Sequence, residues 1–362
     1  MTLIVSSLAG NCPLLLGDLL LSVHEPPLRK EINLPIQDVH IVGDLDYTIT
    51  GFAQKTCLVT PNLAVGWSGT KIVAKTIILE MVQCFTSGRP TTFDELGKFF
   101  FDLDFPEAND VQMVGLVLEK KNFVRDFHWN ARTHKSLLLG EIQLAGSGSD
   151  HFLQVLHNCD TPLITMGSPP EFVSAVGKLL MVACSVLGGE MNTRENLLHF
   201  YGGALEIVYF NQGRFEKLGN VTYVFWAVNV VAPDKLEIAA QVAVNCSYYK
   251  DILILLRISF RENVTPREGL EVFVVGPIHR NVDKTEIENL KRTTLPDLNS
   301  GFLCHYFAIN WPDARRENFV IVDKGQPDLV KFTNEGNRLS FIVYEKFGQR
   351  LLEQIRSRQT PA

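Results

Sequence analysis

Apolar residues fall along this chain in two alternating rhythms. Residues 2–8 and 13–21 are nearly uncharged runs separated by Gly10-Asn11, and they predict a buried hairpin. Residues 55–60 and 63–68, turning at Pro61-Asn62, predict a second hairpin. From Thr70 the period becomes helical: Val73, Ile77, Met81, Cys84 and Phe85 share a face, and Ser87-Gly88-Arg89-Pro90 stops the helix. A short helix follows Thr92 with Phe93, Leu96, Phe99 and Phe100, and strands are expected over 111–119, 123–130 and 136–144. Ser147 or Ser149 then caps a helix carrying Phe152, Leu153 and Leu156. The next helix has the clearest start, with Ser168 as N-cap, Pro169 at the first position and Glu171 three residues after the serine. Its apolar face is Phe172, Val173, Val176, Leu179, Leu180 and Ala183, and Gly188-Gly189 is expected to end it. Strands at 203–210 and 216–231 close the series.

The order is strands, two helices, strands, two helices, strands. It predicts an α+β fold, a four-layer αββα sandwich of two stacked antiparallel sheets between helix pairs. Beyond Pro233 the chain stays β-rich, with runs at 235–246, 252–260, 270–276, 303–310, 318–323 and 339–345. A polar helix near 283–292 and a terminal helix from about Glu345, with Phe347, Leu351, Leu352 and Ile355, complete it. We therefore expect one domain over 1–232 and a β-rich extension or second domain over 233–362. The absence of a Gly/Ser/Pro-rich linker leans towards close packing of the two.

Composition narrows the function. At 362 residues, 46% hydrophobic and 20% charged, the chain can bury two cores and is not extensively disordered. The net charge of −6, with no basic run beyond short pairs such as Arg315-Arg316, argues against a nucleic-acid partner. The seven cysteines form no CxxC pair and no metal-ligand spacing, so neither metal nor cofactor is expected. Their odd, scattered placement suits a reducing compartment, and we expect a cytoplasmic protein. The leucine-rich start has no Lys or Arg before Arg29 and is interrupted by Asn11, Pro13 and Asp18, so it does not read as a signal peptide. No run approaches the length of a membrane span, and no membrane association is expected.

The chemistry concentrates at the start. If Met1 is removed, Thr2 presents a hydroxyl and a free α-amine on one residue, and an amine titrating near neutrality can serve as the base for that hydroxyl. Gly17-Asp18, Lys55, Gly69 and Ala145-Gly146-Ser147-Gly148 follow in order, Asp18 sixteen positions after Thr2 and Gly69 fourteen after Lys55. In these motifs and spacings the chain resembles the N-terminal nucleophile hydrolases, of the proteasome β-subunit type and the related peptidase of bacterial ATP-dependent two-component proteases. The resemblance covers roughly the first 210 to 230 residues.

It implies a hydrolase of peptide or small amide bonds, a threonine peptidase with Thr2 as nucleophile. Lys55, beside Asp18, would lower the effective pKa of the hydroxyl and amine. The backbone N–H of Gly69 would donate to the oxyanion, and Ser147 would orient the amine or a water. The specificity pocket would have Trp67 as its floor and Leu21, Ala53, Cys57 and Lys71 as its walls. A tryptophan floor implies small P1 groups or small amides, or else a pocket that is plugged.

Three departures keep an alternative open. An insertion of about 20 residues runs from Glu25-Pro26-Pro27 to about Gly51. Leu198 and Tyr201 stand where the eukaryotic members carry an aspartate and a serine ahead of the Gly202-Gly203 pair. The chain also continues past the end of a standard subunit. The alternative is a catalytically silent scaffold or binding protein of the same fold; a third reading is a binding protein acting through its C-terminal β-rich region. The family forms rings, but the insertion and extension stand against ring contacts, leaving self-association as a homo-oligomer as the expectation. Other catalytic patterns fail. Gly66-Trp67-Ser68-Gly69-Thr70 is not G-x-S-x-G, Gly146-Ser147-Gly148 lacks the third glycine of a dinucleotide loop, and no HExxH occurs. His151 and His157 read as packing or surface residues, and exposing Cys12 by cleavage would sacrifice the first strand.

Overall fold

The computed structural model describes residues 2–8, 12–23, 33–36, 47–103, 106–120, 123–158, 171–232, 235–260, 269–293, 301–323, 330–335, 338–343 and 345–359. Strands β1 (Ile4–Ser7) and β2 (Leu14–Asp18) pair antiparallel and are buried along their whole length, as their uncharged sequences require. The turn expected at Gly10-Asn11 lies outside the described residues. A small ribbon of β3 (Leu20–Val23) and β4 (Thr48–Phe52) follows, then the hairpin of β5 (Thr56–Thr60) and β6 (Leu63–Gly69). Helix α1 (Lys71–Thr86) takes the predicted span, and α2 (Phe93–Phe101) is capped by Thr92, whose side chain accepts from the Glu95 amide.

After a 3-10 turn at Pro106–Asp110 come β7 (Val111–Lys120), β8 (Phe123–Trp129), β9 (Arg132–Ser136) and β10 (Gly140–Ala145). The strand expected over 136–144 is thus two strands, with the turn at its start, where Gly140 adopts φ +70°. Helices α3 (Ser149–Asn158), α4 (Glu171–Thr193) and α5 (Glu195–Leu198) lead into β11 (Leu205–Asn211), β12 (Arg214–Lys217) and β13 (Val221–Ala232). The single strand expected over 216–231 is broken at Asn220, which has φ +55°. The remaining elements are β14 (Lys235–Tyr249), β15 (Ile252–Ser259), β16 (Leu270–Val275), α6 (Lys284–Thr293), β17 (Phe302–Asn310), β18 (Arg316–Asp323), β19 (Val330–Glu335), β20 (Arg338–Val343) and α7 (Glu345–Gln359).

Three larger sheets result. The first has the order β12-β11-β2-β1-β10-β9, the second β5-β6-β7-β8, and the third β16-β15-β14-β13-β17-β18. The first two face each other through Ile4, Leu15, Ala64, Val114, Leu116 and Val208. Helices α1 and α2 cover the far side of the second sheet, while α3 and α4 cover the far side of the first. The outer side of α4 is covered in turn by the third sheet, whose Tyr223, Phe225, Val244, Leu255 and Tyr306 belong to the same buried cluster. On the opposite face of that sheet, Trp226 and Phe307 pack with Phe347, Leu351 and Ile355 of α7.

Helix α4 explains how the C-terminal region is attached. Residues Val176, Leu179, Leu180, Met181, Val182, Ala183, Cys184, Val186 and Leu187 are all buried, so the helix is apolar around its circumference and needs cover on both sides. The predicted stop at Gly188-Gly189 is corrected here: α4 continues to Thr193. A Cβ at Gly188 would sit 2.1 Å from the Tyr306 ring, so this glycine admits a close neighbour and does not end the helix. The expected capping of this helix at Ser168 lies outside the described residues. The expected domain division at 232/233 falls within the third sheet, between the paired strands β13 and β14.

Candidate active site

Strand register assembles the site. Ile4 lies opposite Gly17 on one side and Ala145 on the other, so the residues just before β1 run beside the end of β2 and the start of α3. Continuing that pairing sets Thr2 against Ser147, and the Thr2 amide donates to Ser147 Oγ at 3.3 Å. The Gly148 amide donates to the Thr2 carbonyl at 3.0 Å. Gly146, at φ +97°, is required there because a Cβ would stand 2.1 Å from the same carbonyl oxygen.

Lys55 enters from the segment before β5. Its Nζ donates to Thr2 Oγ1 at 2.5 Å, to Asp18 Oδ1 at 3.0 Å and to the Leu20 carbonyl at 2.6 Å, using all three ammonium hydrogens. Asp18 is held independently: Oδ1 accepts from the Leu3 amide, and Oδ2 from the amides of Leu20 and Gly202. Thr2 is 1% exposed, and Asp18 and Lys55 are 0%. Burial pushes the Lys55 ammonium down, and the Asp18 charge works against it. A lysine nitrogen so placed polarises the Thr2 hydroxyl, which is what a threonine nucleophile requires.

Two carboxylates that the sequence reading did not single out hold this arrangement. Glu206, on β11, accepts from the amides of Lys55 (2.8 Å) and Thr56 (3.2 Å) through Oε2. Its Oε1 accepts from Lys217 Nζ and from the Tyr248 hydroxyl of the third sheet. Lys217 Nζ also donates to the Thr56 carbonyl and to Gln54 Oε1, so the backbone carrying Lys55 is clamped on both sides. Glu190, near the end of α4, accepts from the Gly203 amide with both oxygens, 3.2 and 3.0 Å. Consecutive amides of Gly202 and Gly203 thereby address Asp18 and Glu190. Burial pushes the Glu190 carboxyl up to about 8; the Gly203 N–H opposes this and the Asp18 charge adds to it. The available signal for both was a lone carboxylate in an apolar stretch, Leu205-Glu206-Ile207 and Gly189-Glu190-Met191.

The other expected residues divide. Gly69 closes β6 at φ +104°, where a Cβ would strike the Asp110 carbonyl at 2.0 Å. It is the neighbouring Ser68, not Gly69, that lies beside Gly146 and the Thr2 carbonyl, through its hydroxyl. Trp67 is fully buried, donates from Nε1 to the Gln54 carbonyl at 3.1 Å, and sets its ring 6.0 Å from Lys55 Nζ. Ala53 and Cys57 are buried in one cluster with Trp67, α1 and Ile278. Leu21 is half-buried, and Lys71 is exposed at the first residue of α1. Burial pushes the Cys57 thiol up to about 12, and its Sγ lies 3.4 Å from His279 Nδ1. Leu198 is 58% exposed. Tyr201 is buried, its ring against Gly148 and its hydroxyl 2.7 Å from His151 Nδ1, with the His151 ring stacked on His199.

Among the described residues no cluster of three or more His, Cys, Asp or Glu is arranged to hold a metal, and no helix is long and apolar enough to cross a membrane. The six described cysteines are free thiols. No known family model and no curated protein matches the sequence.

Proposed function

We propose that this chain is a proteasome-like threonine hydrolase of peptide or small amide bonds, with Thr2 as nucleophile once Met1 is removed. The observation that carries the reading is Lys55 Nζ, which reaches both Thr2 Oγ1 and Asp18 Oδ1 inside a site of buried residues. In this reading Thr2 Oγ attacks the substrate carbonyl while its freed α-amine takes the hydroxyl proton. The amine then returns that proton to the departing nitrogen, leaving an ester on Thr2 that water hydrolyses. Lys55 stabilises the alkoxide as it forms, Ser147 holds the amine, and the Gly69 amide serves the oxyanion. The fold is read as the αββα sandwich of the N-terminal nucleophile hydrolases, which accounts for the two facing sheets and their flanking helices. Trp67 restricts the substrate to a small side chain beside the scissile bond. No cofactor takes part, the free thiols fit the cytoplasm, and self-association of the chain as a homo-oligomer belongs to the same reading.

A second reading has a specific observation behind it. Thr2 is 1% exposed, and Cys57 on the neighbouring wall is covered by His279, as a catalytically silent scaffold would tolerate. Intact mass of the purified protein, before and after a small threonine-directed β-lactone, separates the two. The hydrolase predicts loss of Met1 and a single adduct that disappears in Thr2→Ala. Retained Met1 with no adduct, under conditions that open the site, leaves the scaffold.

A further inference from the structure

Lys55 and Cys57 lie two positions apart on extended backbone and share a side of it, and with Trp67, whose ring is 6.0 Å from Lys55 Nζ, Cys57 belongs to the wall that the proposed function requires beside Lys55. That wall is covered by another part of the same chain. Between β16 and α6, Ile278 is 5% exposed and buried in the cluster of Ala53, Cys57, Trp67 and α1. The next residue, His279, brings Nδ1 to 3.4 Å from Cys57 Sγ. Asn281 accepts from Lys75 Nζ of α1 at 3.0 Å. Gln54, immediately before Lys55, donates from Nε2 to the carbonyls of Asp251 and Val275, tying the site strand to the base of this segment.

The attachments are unequal. On its own side the segment is firmly built: Arg280 makes a two-pronged pair with Asp251, Asp251 also faces His279 Nε2 at 3.5 Å, and Gly276 packs so closely on Val282 that a Cβ would meet its Cγ2 at 2.7 Å. Towards the wall, residues 277–281 offer Ile278 in the apolar cluster, with Pro277 buried beside it in the chain, one thiol–imidazole contact and one exposed Lys–Asn hydrogen bond. Such a segment can leave the wall without dismantling its own turn. A Cys57–His279–Asp251 nucleophile is the rival reading of the same residues. It fails on charge: the Cys57 thiol is pushed up to about 12 and so held protonated, and Asp251, which would have to orient His279, is engaged by Arg280.

We infer that residues 277–281 are a cis-acting cover seated on the substrate wall beside Thr2 and Lys55, and that this cover must lift before substrate enters. The inference rests on reading Thr2 and Lys55 as the reactive centre, but its test need not. Cys57 reports the cover directly, and the β-lactone reports the nucleophile. Maleimide labelling at Cys57 and lactone labelling at Thr2 are followed site by site by mass in wild type, Asn281→Ala and Ile278→Ala. Asn281→Ala removes only an exposed hydrogen bond, so it tests the cover even where Ile278→Ala fails to fold. The expected result is a reaction at Cys57 faster by about twofold to fivefold in Asn281→Ala and by about tenfold or more in Ile278→Ala, with the buried Cys12, Cys184, Cys246 and Cys304 as slow as in wild type, and a parallel gain at Thr2. Equal Cys57 rates in all three proteins, or acceleration of every buried thiol together, overturns the cover. Faster Cys57 with no Thr2 adduct in any protein keeps the cover and sinks the hydrolase.

Discussion

Lys55→Met is expected to remove all lactone labelling at Thr2 and to destabilise the protein by about 3–5 kcal/mol, the usual consequence of breaking a buried ion pair by deleting one partner. Asp18 and Lys55 are both fully buried, 3.0 Å apart. The three amides on Asp18 would soften the loss without replacing the positive charge. Asp18→Asn alone should cost a similar amount by stranding the ammonium, which retains Thr2 Oγ1 and the Leu20 carbonyl as partners. The double variant should recover part of either loss, because no uncompensated charge is then left inside. Lys55→Arg is not a conservative alternative. A planar guanidinium cannot present three donors to Thr2, Asp18 and Leu20 as the ammonium does. Urea unfolding of the two singles and the double supplies the cycle. Single-variant losses below about 1 kcal/mol would mean the pair is solvated and the buried site is wrongly drawn.

What was legible in the sequence lies at the ends of elements. Thr2, Asp18, Lys55 and Ser147 each sit where an apolar run begins or stops, and the fixed register between neighbouring strands turns those ends into one cluster. Helix α1 was equally plain, because a run of five apolar residues at helical spacing has no other use. Glu190, Glu206 and Ile278 were not legible as members of the site. Each arrives from an element remote in sequence, and nothing local tells a lone buried carboxylate that clamps a backbone from one paired elsewhere. Gly188 misled for a related reason. A glycine in a helical run is read as a stop, yet here it answers to Tyr306, a partner more than a hundred residues away. The third sheet was visible as strands, while its seat on α4 was implied only by a helix apolar on every side.

Glu190→Gln is expected to change how stability depends on pH. Folded, this carboxyl titrates at about 8, against an ordinary value of 4.5. Between those values the folded protein holds a proton that the unfolded chain has released. Stability therefore falls as pH rises through that window and levels off above the folded value. For a fully buried group displaced this far, the total is about 5 kcal/mol, at 1.36 kcal/mol per pKa unit. His305 has the opposite sign. It is buried beside Trp226, whose Nε1 donates to its Nδ1, and burial pushes it from 6.5 down to about 3. The unfolded chain takes up that proton first, so stability falls as pH drops from 6.5 towards 3. Where the windows overlap, from pH 4.5 to 6.5, the two slopes oppose each other. These two contributions cancel there, leaving an acid limb to which His305 contributes together with His151 and His279, also pushed down by burial, and an alkaline limb, from 6.5 to 8, contributed by Glu190. Glutamine keeps an acceptor for the Gly203 amide and carries no charge, so Glu190→Gln should abolish the alkaline limb and leave the acid one. At pH 8.5 the variant should then be the more stable protein by several kcal/mol, and at pH 5 the two should nearly coincide. Groups that titrate alike in both proteins cancel in this difference. If the gap between variant and wild type is the same at pH 5 and pH 8.5, Glu190 is ionised throughout, and the amides of Gly202 and Gly203 bridge two charged carboxylates.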